Sequence, residues 1–337
     1  MDGEYCTDTG LGRIADALTV EAGRANARFD PLYPTVFHEN WWLAAASGDA
    51  WQEVTVHAGA KLVGRLPYVL SPVAAGHRLL AQPELTHVLG PAIDPGAGSP
   101  VNQVLKRDAI LRELVESLPA ASGFHCTFHR DVADTLVFQE RGYRTSVQFT
   151  HVVAAGAPGE LWSAMRDKTR NAIRRAELQF CVAELDDPVA FAAFYDENLR
   201  ERSATNYYRR IIPIGAAALE RGRGRFLVAL DGSGRSAAAI FIVWDSQTAY
   251  YLLSTRRQDA GNGAISLLIW HAMRDSAARR LVFDFDGVAL PGSRVFYTGF
   301  GGRAVPRFIV SRYTLGHRVV GRLSHPFRAP AKHCYQW

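Results

Sequence analysis

The sequence predicts an α/β (α+β) protein in two parts, each a mixed, largely antiparallel sheet flanked by helices. Three observations carry that expectation. The chain has 337 residues, too many for one ordinary core and enough for two of roughly 150 residues each. Nearly half of the residues are hydrophobic and about a fifth are charged, a composition that buries real cores. Both halves also show the same order of elements, an antiparallel hairpin or meander followed by a helix that crosses over to a further strand.

Taken in order, FHENWWLAAA (37–46) reads as a short helix. WQEVTVHAGAKLVGRLPYVLSP gives strands near 52–57 and 61–70, joined as a hairpin through His57-Ala58-Gly59-Ala60. LGPAIDPGAGSP (89–100) is filled with proline and glycine and reads as a loop. In NQVLKRDAILRELVESL (102–118), Val104, Leu105, Ile110, Leu111, Leu114, Val115 and Leu118 approximate one helical face. The strand GFHCTFHR, a helix ending at Arg141-Gly142 and a long strand after it complete the first part.

The second part opens at GAPGELWSAMRDKTRNAIRRAEL (156–178), which reads as a helical start and places the boundary between domains 1–155 and 156–337. Beyond it come a strand at 180–185, helices at 188–202 and 213–221, and strands at 225–230, 237–244 and 249–254. A helix over 264–278, the strand LVFDFDG (281–287), the loop VALPGSRVFYTGFGG and the strand RFIVSRYTL (307–315) finish the chain.

The opening MDGEYCTDTG carries acids and no apolar run, and no window approaches the roughly 18 apolar residues of a membrane span. A cytoplasmic protein is the expectation. Cys6, Cys126, Cys181 and Cys334 form no CxxC pair, so neither a zinc site nor a disulfide framework is expected. Cys181, beside Phe180 on an apolar run, reads as a core residue. The net charge of +5 is carried by arginine far more than lysine, which suits a phosphate-bearing ligand and equally follows from a GC-rich genome.

Between the strand at 249–254 and the helix at 264–278, Gln258-Asp259-Ala260-Gly261-Asn262-Gly263 spells Q-x-x-G-x-G, with Ala264 opening the helix. Backbone N–H groups at a helix start, approached through residues without side chains, make an anion site that a pyrophosphate fits. The same pattern also begins helices that bind nothing. No G-x-G-x-x-G with a later acid accompanies it, so a dinucleotide fold is not indicated.

This turn resembles the acyl-CoA site of the GNAT superfamily of N-acyltransferases, a (Q/R)-x-x-G-x-(G/A) turn between a central strand and the next helix. LWSAMRDKTRNAIRRAE followed by VAEL, LVFDFDG followed by RVFYTGFGG, and FQERGYRTSVQFTHVV resemble elements of the Fem-type proteins, which are double GNAT folds. The resemblance covers most of the chain. It implies two tandem GNAT-like domains, an acyl-CoA donor held by residues 258–264 in the second, and an amide formed at an amine acceptor in cell-envelope or natural-product metabolism. Fem-type relatives that use aminoacyl-tRNA commonly carry F-K before F-G-G. Here the pair is Phe296-Tyr297, and a phenol cannot supply the fixed positive charge of an ammonium. Aminoacyl-tRNA-dependent transfer is thus the alternative reading, and a catalytically silent GNAT-like protein binding a phosphorylated ligand is another.

Acyl transfer to an amine needs a neutral amine, a donor for the oxyanion and a route for protons. Asp284 and Asp286 alternate with Phe283 and Phe285 on the strand ending at Gly287, so both face one side and either could take the proton or hold the amine. Capping a loop is the plainer role for each. Tyr297 is placed to protonate a leaving thiolate or to donate to an oxyanion. Tyr250 and Tyr251 point to opposite faces of their strand.

Arg166, Arg170 and Arg174 recur at helical spacing beside Lys168 and Arg175. They are a solvated face or a phosphate site for an acceptor such as a nucleotide-linked or lipid-linked sugar, or for tRNA. By resemblance, Arg202, Tyr207 and Tyr208 fall in the acceptor-side region. His125 and His129 lie on a strand and do not converge, His271 reads as packing, and no metal is expected.

Overall fold

The computed structural model describes residues 29–73, 76–199, 207–261, 263–287 and 291–316. The first part holds α1 (Asn40–Ser47), the hairpin β1 (Trp51–Ala58) and β2 (Lys61–Pro72), β3 (Arg78–Ala81), β4 (Ala92–Ile93), α2 (Pro100–Glu116), β5 (Gly123–Thr127), α3 (Leu136–Glu140) and β6 (Arg144–Val153). The second holds α4 (Pro158–Ala164), α5 (Asp167–Glu177), β7 (Cys181–Leu185), α6 (Pro188–Glu197), α7 (Ile211–Glu220), β8 (Gly224–Leu230), β9 (Ser236–Trp244) and β10 (Thr248–Arg256). It ends with α8 (Gly263–Ala278), β11 (Val282–Asp284), α9 (Pro291–Gly299) and β12 (Arg303–Tyr313).

The twelve strands among the described residues join one mixed sheet in the order β1-β2-β3-β5-β12-β6-β11-β10-β9-β8-β7, with β4 on β2. The sheet runs through residue 155 without a break, because β6 pairs antiparallel with β11. The last strand, β12, returns to lie between β5 and β6. Most neighbours are antiparallel, as expected; β3 with β5 and β10 with β11 are parallel.

The apolar runs explain which strands sit centrally. β9, AAAIFIVW, shows no alternation because both its faces are buried. Ile240 and Ile242 enter a core under α4, α5 and α8, whereas Phe241 and Val243 enter a second core under α1, α6 and α7. Tyr251 and Tyr250 divide between the same two faces. A third core lies under α2 and α3, where Leu111, Leu114 and Val115 meet Phe124 and Phe138.

Several expectations need correction. Val104 and Leu105 are exposed, since α2 buries only its Leu111–Leu114–Val115 edge. The helix expected over 156–178 is two helices, because Met165 and Arg166 are extended. Met165 enters the core there, and the Arg166 N–H donates to the Gly299 carbonyl at 2.9 Å. The segment expected as a loop before β12 contains α9. The strand expected over 281–287 stops at Asp284, since Asp286 takes a left-handed φ of 57°. Cys181 is exposed, on a strand at the sheet edge.

Candidate active site

The site begins where two strands part. β10 and β11 pair in parallel at Thr248–Val282, Ala249–Phe283 and Tyr250–Asp284. β11 then ends, while β10 continues to Arg256 along β9. Beyond Tyr250 a fork therefore opens, with β10 as one wall and β6 as the other.

β10 leads straight to the glycine turn. Gln258–Ala260 forms one 3-10 turn, Gly261 follows at φ 62° and ψ −179°, and α8 starts at Gly263. That backbone conformation is open essentially only to glycine. A Cβ added at Gly261 would meet nothing within 4 Å, so the turn is open to an approaching ligand. Gly263 plays another part: its Cβ position lies 3.4 Å from the Ala176 Cβ, so it lets α5 pack close against α8. Gln258 and Asp259 are exposed and Ala264 is buried. The Asp259 carboxylate accepts from Arg257 Nε at 3.0 Å, which offsets an acid beside a would-be anion site. Asn262 lies outside the described residues.

Both aspartates are buried, and each has its own arginine. Asp284 accepts from Arg130 at 2.8 Å, from the Thr150 hydroxyl and from the Asp286 N–H at 2.8 Å. Arg130 also donates to the Thr248 hydroxyl, and the Gly287 N–H donates to Thr150 at 3.1 Å. Asp286 bonds His87 Nδ1 through one oxygen and Arg307 Nη1 through the other, the latter at 2.9 Å. Burial alone would raise the Asp286 carboxyl, but the charges and hydrogen bonds of His87 and Arg307 outweigh it and hold the group below the usual carboxylate range. Strands β6 and β12 and loops of the first part thus close on the loop after β11. His87, Arg130, Thr150 and Arg307 have no motif in the sequence, since they are brought together from about 220 residues of chain only by the strand order.

On the other face of the sheet, Tyr297 from α9 stacks on Phe285 with ring centroids 4.4 Å apart. Tyr251 and His151 flank it at 6.4 and 6.1 Å. These rings span the base of the fork, from β10 past the end of β11 to β6. Burial, with Asp286 nearby, pushes the Tyr297 phenol up to about 12. His151 is held below the usual histidine range by burial and by Arg294. Its Nε2 is 3.3 Å from the Thr298 hydroxyl and its buried Nδ1 has no partner among the described residues. The only trace of His151 in the sequence is a histidine inside the apolar strand QFTHVV.

The basic helix lies beside the turn, but two of its arginines are engaged locally. Arg170 donates to the Trp162 and Ser163 carbonyls at the end of α4 and pairs with Asp167. Arg174 lies over the Trp162 ring and donates to Asn171. Lys168 and Arg175 are exposed. Tyr207 and Tyr208 begin the 3-10 turn Tyr207–Arg210, and Arg202 lies outside the described residues. That turn packs toward α1, where Arg210 donates to the Ser47 carbonyl, on the face opposite Tyr297. Among the described residues no three metal-binding side chains are grouped, and no helix is long and apolar enough to cross a membrane.

Comparison with known proteins bears on this geometry. A family model described as the acetyltransferase (GNAT) domain matches residues 163–293, which include β10, β11 and the glycine turn. No curated protein sequence matches the chain. Among solved structures, FemX superposes with a TM-score of 0.61 at 11% identity, covering 94% of this chain and 98% of that one. A conserved protein of unknown function from Bacteroides thetaiotaomicron gives 0.55 at 11% identity, with 81% and 90% covered. L-PGS from Bacillus licheniformis gives 0.50 at 10% identity, with 84% and 90% covered. At such identities these structures speak for the fold alone. The acetyltransferase (GNAT) domain match over 163–293 thus lies within a chain whose fold is similar to that of FemX.

Proposed function

We propose that the chain is an N-acyltransferase that moves an acyl group from an acyl-CoA type thioester to an amine, forming an amide. The observation that carries the reading is the fork: β10 leaves β11 on its way to a glycine turn at the head of α8. A strand that has lost its neighbour offers backbone groups that the amides of a pantetheine arm can pair with. The turn and the N–H groups of residues 258–264 then meet the pyrophosphate. In this reading the second part, 156–337, holds the donor and the first part supports it.

Tyr297 donates to the oxyanion. A phenol that burial pushes up to about 12 stays protonated and is a poor source of a proton for a leaving thiolate. Hydrogen-bond donation is therefore its task, rather than acid catalysis. Asp284 and Asp286 act as positioning residues, since their oxygens already hold Arg130, Thr150, His87 and Arg307.

Calorimetric titration with acetyl-CoA and with CoA tests the donor. Saturable binding is expected, and Gly261→Val should remove it while the melting midpoint shows the variant folded. Absence of binding to the folded wild-type protein overturns the reading. Aminoacyl-tRNA is the second donor to test, because the exposed Lys168 and Arg175 lie on the helix beside the turn. Its binding would weaken steeply with salt, whereas CoA binding would change little. Thiol release in the presence of amines separates an enzyme from a silent binder.

A further inference from the structure

Along β6, Val147, Phe149 and His151 point to one face of the sheet, because side chains alternate. In the antiparallel pairing with β12, Phe308, Pro306 and Ala304 stand opposite them in that order. Among the described residues the row is not closed over. Val147 and Phe149 are 52% and 49% exposed, Pro306 and Ala304 are exposed, and Phe308 is half-buried. At its inner end the row reaches His151, which is 3% exposed and carries a ring nitrogen without a partner among the described residues. The ring of Tyr297 lies next to it. An apolar floor thus runs from the surface toward the enclosed His151 ring at the base of the fork, on the face that also carries α8 and the glycine turn.

We propose that this row is the acceptor subsite, and that its ligand is an amine carried on an apolar body, with the amine N–H donating to His151 Nδ1. The proposal rests on the acyltransferase reading for what happens next. With its proton on Nε2, which lies 3.3 Å from the Thr298 hydroxyl, the ring keeps an enclosed Nδ1 lone pair that the ligand reaches by displacing the side chains covering it. As the amine nitrogen bonds to the thioester carbon, its proton passes to Nδ1. When the C–S bond breaks, that proton leaves with the thiolate, so imidazole is regenerated and no other reactant is needed. A neutral imidazole suits this role, and burial with Arg294 on the Tyr297 side outweighs the opposing field of Asp284 to keep it neutral.

Binding of butylamine, hexylamine and octylamine, measured calorimetrically without any donor, tests the subsite. Affinity should rise about threefold to fourfold per methylene while the chain lies on the floor. Phe149→Ser and Val147→Thr, both at exposed positions, should flatten that dependence and leave acetyl-CoA binding unchanged. His151→Asn should weaken all three amines, and the chain-length slope should survive. A flat series in the wild type, or a slope untouched by both surface variants, overturns the proposal. Chain-dependent amine binding in a protein that does not bind acetyl-CoA would uphold the subsite and sink only the donor reading.

Discussion

The Asp286 carboxylate bonds His87 on one side and Arg307 on the other, with all three groups almost fully enclosed. Removing one charge from such a set leaves its partner buried without compensation, which costs about 3–5 kcal/mol. Asp286→Asn is therefore expected to lower the urea midpoint by that equivalent, and a shift under 1 kcal/mol would show the pairs to be dispensable. Tyr297→Phe should instead leave the fold and donor affinity unchanged and slow turnover by about 10²–10³, the usual loss of one oxyanion donor. Equal kcat would remove its role. His38 makes a third case. It is fully enclosed, and burial, His129 and Arg65 hold its imidazole well below the ordinary range. His151 is lowered as well. The unfolded chain takes up these protons below about pH 6.5 and the folded one resists, so stability should fall with pH by up to about 1.4 kcal/mol per unit for each group. The urea midpoint should drop between pH 7 and pH 5, and less so in His38→Gln; a level midpoint refutes the assignment. None of these partnerships is local, which is why residue types at 284, 286 and 297 stood out in the sequence while His87, Arg130 and Arg307 did not.

At the scale of elements, a helix or strand was legible wherever its pattern was long and unopposed, as in β9, β10 and α8. Two of the misreadings share a cause, in that a contact from elsewhere overrode a local signal. α9 contains Pro291, Gly292 and Gly299 and reads as a loop, yet Phe296, Tyr297 and Phe300 of this stretch pack onto the aromatic floor of the fork. The break between α4 and α5 has no proline or glycine and follows from burial of Met165. The two glycines of the turn also separate at this scale. Gly261→Ala forces a side chain into a glycine-only conformation, costing roughly 1–3 kcal/mol, and should weaken donor binding. Gly263→Ala meets only the Ala176 Cβ at 3.4 Å and the Ala172 carbonyl oxygen at 3.6 Å, so donor affinity should stay within about twofold. A larger loss in Gly263→Ala than in Gly261→Ala would mean that helix packing, rather than the open turn, governs binding.

For the whole molecule, the two-part reading follows from length and element order and carries no information on how the halves join. The sequence of β12 says only that it is a strand; its place between β5 and β6 depends on edges made much earlier in the chain. One sheet with a shared central strand should melt as one unit, and a calorimetric scan should give a single transition. Two resolved transitions would show that the halves hold independently. The same strand order bears on how the protein is made. About 150 residues separate the end of β6 from the start of β12, roughly 8–30 s of ribosomal elongation. Throughout that interval β5 and β6 wait with facing edges unfilled, open to a neighbouring nascent chain on the same polysome. Slow codons or stalling within that window would raise misassembly, and a holdase that covers strand edges would relieve it.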